Sequence, residues 1–404
     1  MTTTHATDST TATAGVLYLA LDLGQKSWKL AFTIGLGQKP RLRTIAARDV
    51  EALLAEIRAA KGRFGLAEDA TVIACYEAGR DGFWLKRCLL SHGVECIIVD
   101  SASIEVNRRK RRSKSDRLDA IKLVEMLIRW HNGESKVWSV VRAPSADDED
   151  ARQMHRELIA LRGERTAHVN AIKGMLAGLG LVAGVDERLP GRLAAMRQWD
   201  GEPIPQGVLR RILREHERWR LVGRQIAELE ARRRAKIRDD ATPHVEKVRV
   251  LLGLKGIGEN GAWLLVEELF GWRQIRNRRE LGSLAGLAPT PYASGEVRRE
   301  QGISKAGNRR VRWMMVQLAW CWLRYQPDSA LSRWYASRFA GGNARSRKVG
   351  IVALSRKLLV ALWKYVERGE VPEGAEVVGW EKKVPKEGEK RPREETGGPA
   401  RKAS

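Results

Sequence analysis

The order of strand-forming and helix-forming segments limits which folds the first third of the chain can adopt. Three segments rich in apolar residues predict strands, namely VLYLALDLG from residue 16, SWKLAFTIG from residue 27 and RLRTIAA from residue 41. The segment DVEALLAEIRAA then predicts a helix. Two more predicted strands, TVIACYEAG and ECIIVD, are each followed by a predicted helix, and the second helix is opened by Ser115. The predicted order is βββαβαβα.

This order limits the folds available to residues 15–140. It is the order of a ribonuclease-H-like domain, in which helices cover a mixed sheet. The chain has 404 residues, of which 43% are hydrophobic, so it can bury a sizeable core and is expected to form two or three domains.

Two long basic helices are predicted between residues 151 and 236, because apolar residues recur there with heptad-like spacing. These residues are Met154, Leu158, Leu161, Ile172, Met175 and Leu179, and then Val208, Ile212, Trp219, Val222, Ile226 and Leu229. A stretch containing Gly and Pro separates the two helices. An antiparallel hairpin and a dimerising coiled coil both agree with this pattern, and the sequence does not choose between them.

A further unit is predicted from residue 246. In VLLGLKGIGENGAWLLVEEL, Gly256 and Gly258 lie in a tight turn between apolar helical segments, which resembles a helix-hairpin-helix whose turn amides can hold a backbone phosphate. A polar loop is predicted through GLAPTPYASGEVRREQG, followed by a basic amphipathic helix. Trp313, Trp320 and Trp322 on that helix are expected in the core, with stacking on unpaired bases as the alternative.

The predicted fold class is therefore α/β plus α. Residues 15–140 form the ribonuclease-H-like domain, residues 141–245 the helical coiled-coil region and residues 246–370 the mainly helical C-terminal domain. The Thr/Ala-rich residues 1–14 and the Pro- and Gly-rich residues 371–404 are predicted to be disordered tails.

The charge balance indicates the kind of partner. There are 73 Lys and Arg residues against 49 Asp and Glu, a formal net charge of +24, so a polyanion is expected to bind. The four cysteines form no CxxC pair and the histidines have no zinc-ligand spacing, which fits a reduced cytoplasm. No apolar run reaches the roughly 18 residues of a membrane span. A cytoplasmic protein without a membrane partner is expected.

Four acidic residues stand out in the first domain. Asp22 lies within the first predicted strand and Glu77 at the end of the fourth, while Asp116 and Asp119 are three residues apart at the start of a helix. Each of them alone is typical of an edge residue or a helix cap. In a ribonuclease-H-like topology, however, they meet at one end of the sheet, and converging carboxylates need cations. Two Mg²⁺ ions about 3.5–4 Å apart are expected, as in phosphoryl transfer.

Basic residues and serines supply the other candidates. A basic run directly before Asp116 is expected to contact nucleic acid near the acids, although a solvated loop is the plain alternative. Its members are Arg108, Arg109, Lys110, Arg111, Arg112 and Lys114, and further basic contacts are predicted at Lys305, Arg309 and Arg310. Ser294 in YASG and Ser304 in GISKAGN lie in predicted turns, where nothing local activates a serine.

Seven segments together resemble the insertion-sequence-110 (DEDD) transposases, and in this order they span nearly the whole chain outside its tails. They are LDLGQKSW, CYEAGRDGFWL, RRSKSDRLDA, GLKGIGENGA, GLAPTPYASG, GISKAGNRRVRW and KVGIVALSRKLLVALW. The resemblance implies a domain of the RuvC type with the acidic tetrad Asp22, Glu77, Asp116 and Asp119, a coiled-coil insertion and a C-terminal transposase domain.

The resemblance also implies a mechanism and partners. A serine of the C-terminal domain attacks a DNA phosphate to form a phosphoserine link, assisted by Mg²⁺ at the tetrad. By motif position this serine is Ser294, and Ser304 is the fallback. A non-coding bridge RNA from the element's ends pairs with double-stranded target and donor DNA. A dimer or tetramer is expected to hold the two DNA partners. The resemblance also implies a prokaryotic protein that is nucleoid-associated in the cytoplasm.

Three other functions compete with this interpretation. A junction-resolving nuclease would cut DNA with the tetrad alone and not rejoin it. An actin-like kinase shares the sheet topology and a loop such as LDLGQKS, but no second phosphate loop of that superfamily is found. A non-catalytic nucleic-acid-binding protein would use the acids only for capping and pairing.

Overall fold

A computed structural model describes residues 15–104, 116–134, 136–294 and 297–384 of the protein, without the side chains at positions 102, 116–118 and 291–301. The chain divides into two compact units, Met1–Pro144 and Ser145–Ser404. Among the described residues, no helix is both long and apolar enough to cross a membrane. The predicted tail 1–14, residues 385–404 of the predicted tail 371–404 and the basic run 108–114 lie outside the described residues.

The first unit is built on a six-stranded mixed sheet. Its strands are β1 (Leu17–Leu23), β2 (Ser27–Thr33), β3 (Arg41–Ala46), β4 (Val72–Glu77), β5 (Val94–Val99) and β6 (Val140–Val141). Its helices are α1 (Val50–Arg63), α2 (Trp84–Ser91) and α3 (Asp116–His131). The strand order is β3-β2-β1-β4-β5-β6. Strands β1, β4 and β5 are parallel, whereas β2, β3 and β6 pair antiparallel to their neighbours.

The predicted βββαβαβα order is confirmed, and alternation along each strand explains the packing. Leu19 of β1 packs on one face with α1 and α2. Tyr18 and Ala20 of β1, with Cys75 of β4, pack on the other face with α3. The two faces together bury the central strands β1 and β4, which are therefore apolar on both sides except at their ends.

The described part of the second unit contains nine α-helices. They are α4 (Ala146–Ala177), α5 (Leu189–Ala195), α6 (Gln206–Asp239), α7 (Pro243–Leu252), α8 (Glu259–Leu265), α9 (Arg278–Leu284), α10 (Arg309–Tyr325), α11 (Ala330–Tyr335) and α12 (Ala344–Arg368). Two strands, β7 (Pro289–Ser294) and β8 (Val297–Ile303), form a hairpin. Short π-helical turns follow α8 at Val266–Phe270 and α11 at Ala336–Ala340.

Helices α4 and α6 pack antiparallel within one chain. Arg162 pairs with Glu230 at 2.5 Å, and His168, further along α4, pairs with Glu215, which comes earlier in α6. Both helices thus follow the heptad-like pattern of the sequence. Of the two arrangements left open by the sequence, the structure has the antiparallel hairpin.

Two sequence predictions for the second unit are wrong. The predicted polar loop at 289–303 is the β7–β8 hairpin, with Tyr292 opposite Arg299. Residues 371–384 are not disordered: Val377 bridges Leu254, and Val384 is buried in the core. The sequence signals failed because Pro and Gly mark turns, whereas the pairing partner and the core surface decide whether such a segment becomes ordered.

A close backbone contact fixes the chain between the hairpin and α10. Gly307 has a φ of +126°, and a Cβ there would lie 2.5 Å from the Ser283 oxygen and 2.6 Å from the Leu284 oxygen. We expect Gly307→Ala to lower the free energy of unfolding by about 3 kcal/mol or more, since a left-handed conformation and a backbone clash combine. Urea unfolding followed by circular dichroism measures this.

The matched control is Gly302→Ala. Gly302 has a φ of +90°, but nothing lies within 4 Å of a Cβ at this position. We expect a loss of only about 1–2 kcal/mol from backbone conformation. Equal losses in the two variants would show that the close contact at Gly307 does not matter.

Candidate functional site

Two of the four predicted acids line one pocket of the first unit. Asp22 lies near the end of β1 and Glu77 is the last residue of β4. These strands are parallel and Leu21 is in register with Tyr76, so the next residues, Asp22 and Glu77, are neighbours. Both side chains line a pocket of about 350 Å³. The sequence prediction that these two acids meet at one end of the sheet is therefore consistent with the geometry.

Helix α3 approaches the same end of the sheet. Its last residue, His131, contacts the hydroxyl of Tyr18, near the start of β1, through Nδ1 at 2.8 Å. In its middle, the Leu123 carbonyl accepts a weak bond from the Cys75 thiol of β4. The helix therefore runs antiparallel to β1, and its first residues lie towards Asp22.

The helical rise places Asp119 at about the height of Glu77 along the sheet. The step from Cys75 to Glu77 along β4 is about 6.7 Å, and four residues of helix, from Leu123 back to Asp119, cover about 6 Å. Asp119 is half-buried, and Asp116 lies one turn before it at the start of α3. No side chain is described for Asp116, so only its backbone position is known.

A buried thiol and an ion-paired acid lie close to these two carboxylates. Burial raises the pKa of the Cys75 thiol well above its usual range, and the nearby Cys96 and Glu77 add to the rise. Asp81, which also lines the pocket, pairs with Arg48 at 3.1 Å and Arg80 at 3.6 Å. The pocket lining therefore includes two strand-end carboxylates and a third that is ion-paired.

Carboxylate oxygens are the ligands that Mg²⁺ prefers, so the donor set fits this ion. Within the described side chains, which do not include Asp116, no group of three or more His, Cys, Asp or Glu could hold a metal ion. Occupancy of the site by Mg²⁺ therefore stays a prediction.

The candidate serines lie on or beside the hairpin of the second unit. Ser294 is the last residue of β7 and stands opposite Val297, so it is a strand-end residue and not a turn residue as predicted. Ser304 follows β8, and its amide donates to the Ala288 carbonyl at 2.8 Å. The Ser304 hydroxyl is buried and has no hydrogen-bond partner among the described residues.

The segment after the hairpin is held by a buried acid that the sequence reasoning missed. Asn308 caps α10 by accepting from the amides of Arg310 and Val311. Its amide group also donates to Glu268 at 2.8 Å, and Arg156 of α4 binds the same carboxylate at 3.1 and 3.3 Å. Although burial raises the pKa of Glu268, the hydrogen bonds from Arg156 and Asn308 hold it below its usual range.

Glu268 lies in the π-helical turn Val266–Phe270, a feature that is frequent at functional sites. The signal available in the sequence was the pair of acids in an otherwise apolar helix, VEEL. Through Asn308, Glu268 connects α4 to the start of α10, four residues after Ser304.

A buried histidine in the same region makes stability depend on pH. Both ring nitrogens of His155 are buried without a hydrogen-bond partner among the described residues. Burial first, and then the Arg233 charge, lower its pKa from 6.5 to about 4. Because the unfolded chain binds a proton below pH 6.5 and the folded chain does not, the free energy of unfolding should fall as the pH falls from 6.5 to 4. The expected loss is about 3 kcal/mol.

Urea unfolding between pH 7 and pH 5 tests this expectation. In His155→Leu the pH dependence should be flatter than in the wild type over this range. His92→Gln, a change at an exposed histidine of the first unit, should keep the wild-type slope. An unchanged slope in His155→Leu would contradict the assignment.

The predicted basic and aromatic contacts differ in their surroundings. Lys305, Arg309 and Arg310 are exposed, as nucleic-acid contact requires. Trp322 is fully buried and donates to the Ser329 hydroxyl, which confirms the expectation of a core residue. Trp313 and Trp320, by contrast, are 56% and 48% exposed, so the core expectation is wrong for them.

The predicted helix-hairpin-helix turn lies between α7 and α8, but the C-terminal segment covers part of it. The Lys255 amide donates to the Glu376 carbonyl, and Val378 donates to the Gly253 carbonyl. The Lys383 ammonium binds the carbonyl of Leu254. Because the Lys255 amide already donates within the chain, it is not available to bind a phosphate. Phosphate binding by the other amides of this turn stays a prediction.

Comparisons with known proteins show that the chain is similar to transposases. Residues 248–334, from α7 to α11, match the model described as "Transposase IS116/IS110/IS902 family". The "Putative transposase y4rJ" of Sinorhizobium fredii is 41% identical over 381 residues, which is 89% of this chain and 94% of that protein. The "Transposase for insertion sequence element IS1328" of Yersinia enterocolitica is 27% identical over 236 residues, 56% of this chain and 66% of that protein.

These likenesses place the chain among the transposases, the class of enzymes that cut and rejoin DNA. Within that class, the chain belongs to the IS116/IS110/IS902 transposase family.

Proposed function

We propose that this transposase is a site-specific DNA recombinase that combines the acidic tetrad of its first unit with a serine nucleophile of its second unit. The observation that carries the proposal is the position of Asp22 and Glu77, neighbours at the ends of two parallel strands, in one pocket. Four carboxylates at one sheet end would repel each other unless a cation were shared. The proposal therefore includes two Mg²⁺ ions as cofactors.

In this proposal the tetrad residues hold the ions by their carboxylate oxygens. Bound Mg²⁺ would supply Lewis-acid stabilisation of the charge that develops on the phosphate oxygens. Asp22 and Glu77 would fix the site on rigid strand ends, while Asp116 and Asp119 would approach from the helix. We also propose that the first unit is a domain of the RuvC type.

Ser294 is proposed to act as the nucleophile. Its Oγ attacks the phosphorus of a DNA phosphodiester, the bond from phosphorus to a deoxyribose oxygen breaks, and the serine proton passes to solvent or to that oxygen. A phosphoserine link results. A free hydroxyl of the second DNA partner then attacks the same phosphorus, which joins the strands and releases the serine. No net phosphodiester bond is lost, so no external energy source is needed.

We also propose a bridge RNA as guide and a dimer or tetramer as the active assembly. The net charge of +24 supports extensive contact with nucleic-acid phosphates. It does not distinguish RNA from DNA. The oligomer is required because donor and target must be held together during rejoining.

The experiment is a recombination reaction with donor duplex, target duplex, RNA transcribed from the element's ends and Mg²⁺. We expect joined product only when both DNAs, the RNA and the metal are present. Product without RNA would refute guidance by RNA. Cleaved DNA without joining under all conditions would favour the junction-resolving nuclease, which uses the tetrad alone.

A further inference from the structure

The second unit contains a long groove that the proposed chemistry does not use. Its volume is about 1160 Å³, which exceeds the roughly 300–1,000 Å³ of small-molecule pockets. Helix α12 forms one side along residues 344–361, a length of about 26 Å, and α9, α11 and the ends of the β7–β8 hairpin form the remainder. The size and length suit an extended ligand and not a metabolite.

The rim of this groove is cationic. Seven basic side chains line it, and no carboxylate is among its described lining residues. The seven are Arg278, Arg279, Lys305, Arg345, Lys348, Arg356 and Lys357. None of them forms an ion pair with a carboxylate in the described part of the chain. Nearby basic residues outside the groove do pair, for example Arg276 with Glu280 and Lys364 with Glu370.

The floor of the groove is apolar. Leu287, Ile303 and Val352 contribute to it, together with Val349, which is 57% exposed. Trp334 of α11 lines the wall, with the Lys357 ammonium 4.6 Å from its ring centroid. An apolar floor within an unpaired cationic rim matches a ligand that has both a chain of negative charges and flat apolar faces.

We infer that this groove binds a single-stranded segment of nucleic acid, with phosphates at the rim and unstacked bases on the floor. A duplex presents phosphates outward and keeps its bases stacked, so it has nothing to bury in an apolar trough. A single strand exposes its bases, and binding of such strands combines charge with base contacts. An acidic helix could match the same features, but membership in a transposase family favours nucleic acid as the partner.

This inference deepens the proposed function, since it names a partner of the serine-bearing unit, but it does not rest on the tetrad or on Ser294. The single strand could come from DNA opened at a recombination site or from an unpaired region of an RNA. Single-stranded DNA and single-stranded RNA both carry the phosphates and unstacked bases that the groove would bind. The test compares their affinities.

The test measures binding of the full-length protein by fluorescence anisotropy. The probes are a labelled single-stranded DNA, the single-stranded RNA of the same sequence, and the matching DNA duplex. Arg345→Glu/Lys348→Glu reverses two charges on the groove face of α12. Arg210→Glu/Arg214→Glu makes the same change in charge on exposed positions of α6, outside the groove.

We expect the groove variant to lose at least about tenfold in single-strand affinity and to show a smaller salt dependence. The control variant should stay within about threefold of the wild type, and duplex binding should fall equally in the two variants. Tighter binding of the RNA or of the DNA strand would identify the source of the ligand. Equal losses of single-strand affinity in groove and control variants would overturn the inference.

A second pair of variants tests the floor without relying on charge reversal at the rim. Val349→Asp places a carboxylate in the groove, and Val371→Asp does so at a site that is 49% exposed and outside the groove. Because both valines are exposed, neither change should unfold the protein. Only Val349→Asp should weaken single-strand binding, and unchanged binding would overturn the inference. Asp22→Ala and Ser294→Ala should keep this binding, so failure of the chemistry and failure of the groove remain distinguishable.

Discussion

Asp22→Ala is expected to abolish recombination, with a loss of at least about 10³-fold in the rate of product formation. Asp22 is half-buried at the end of β1, beside Glu77 and in the same pocket. If it holds Mg²⁺, its removal takes away a ligand that positions the ion, and several kcal/mol of transition-state stabilisation are lost. The reaction with donor DNA, target DNA, RNA and Mg²⁺ measures the loss.

A control acid lies in the same pocket. Asp81 lines it but pairs with Arg48 and Arg80, so it serves an ion pair and not the carboxylate cluster. Asp81→Asn keeps the shape of the side chain and an oxygen for Arg48, and because Asp81 is assigned to ion pairs and not to the metal site, activity should stay within about threefold of the wild type. If Asp22→Ala still recombines at the wild-type rate, the proposal that the acidic tetrad holds the catalytic metal ions is wrong.

The same variant allows a readout that does not need recombination. In the wild type, Mg²⁺ should raise the thermal unfolding midpoint, since an ion that binds only the folded chain stabilises it. Asp22→Ala should remove this shift, whereas Asp81→Asn should keep it. A shift that persists in Asp22→Ala would mean that the ion binds elsewhere.

The first unit could be predicted from the sequence because its signals are local. Each strand is a short apolar run, each helix has its own cap or stop, and the acids stand out within such runs. Strand β6 was missed because Val140–Val141 is only two residues long and is defined by its pairing with β5. That Asp22 and Glu77 are neighbours could be predicted because adjacent parallel strands end at one edge of a sheet, whereas the meeting of all four acids stays a prediction.

The second unit was less predictable because its features depend on contacts distant in sequence. Glu268 matters through Arg156 and Asn308, which lie 112 and 40 residues away. The groove combines one face of α12 with cations from α9 and with Lys305. In the sequence, KVGIVALSRKLLVALW shows only an amphipathic helix. Which of its basic residues lack a carboxylate partner is decided by the neighbouring helices.

Ser294→Ala is expected to remove both the joined product and any covalent protein–DNA adduct. The hydroxyl is the attacking group in the proposed mechanism, and an alanine has no atom that can form the phosphoserine bond. Adducts are detected as protein-linked labelled DNA after denaturation. Because Ser294 lies at a strand end next to the hairpin turn, the loss of one oxygen should leave the fold intact.

Ser304→Ala is the matched control and also the test of the fallback nucleophile. The Ser304 hydroxyl is buried without a partner among the described residues, so its removal relieves an unmet hydrogen bond and should not lower stability. A nucleophile must reach the DNA phosphate, whereas a buried hydroxyl first needs the segment around it to move. We therefore expect Ser304→Ala to recombine and to form adduct like the wild type. If instead Ser304→Ala loses the adduct and Ser294→Ala keeps it, the nucleophile is Ser304, and the chain between β8 and Asn308 must open during the reaction.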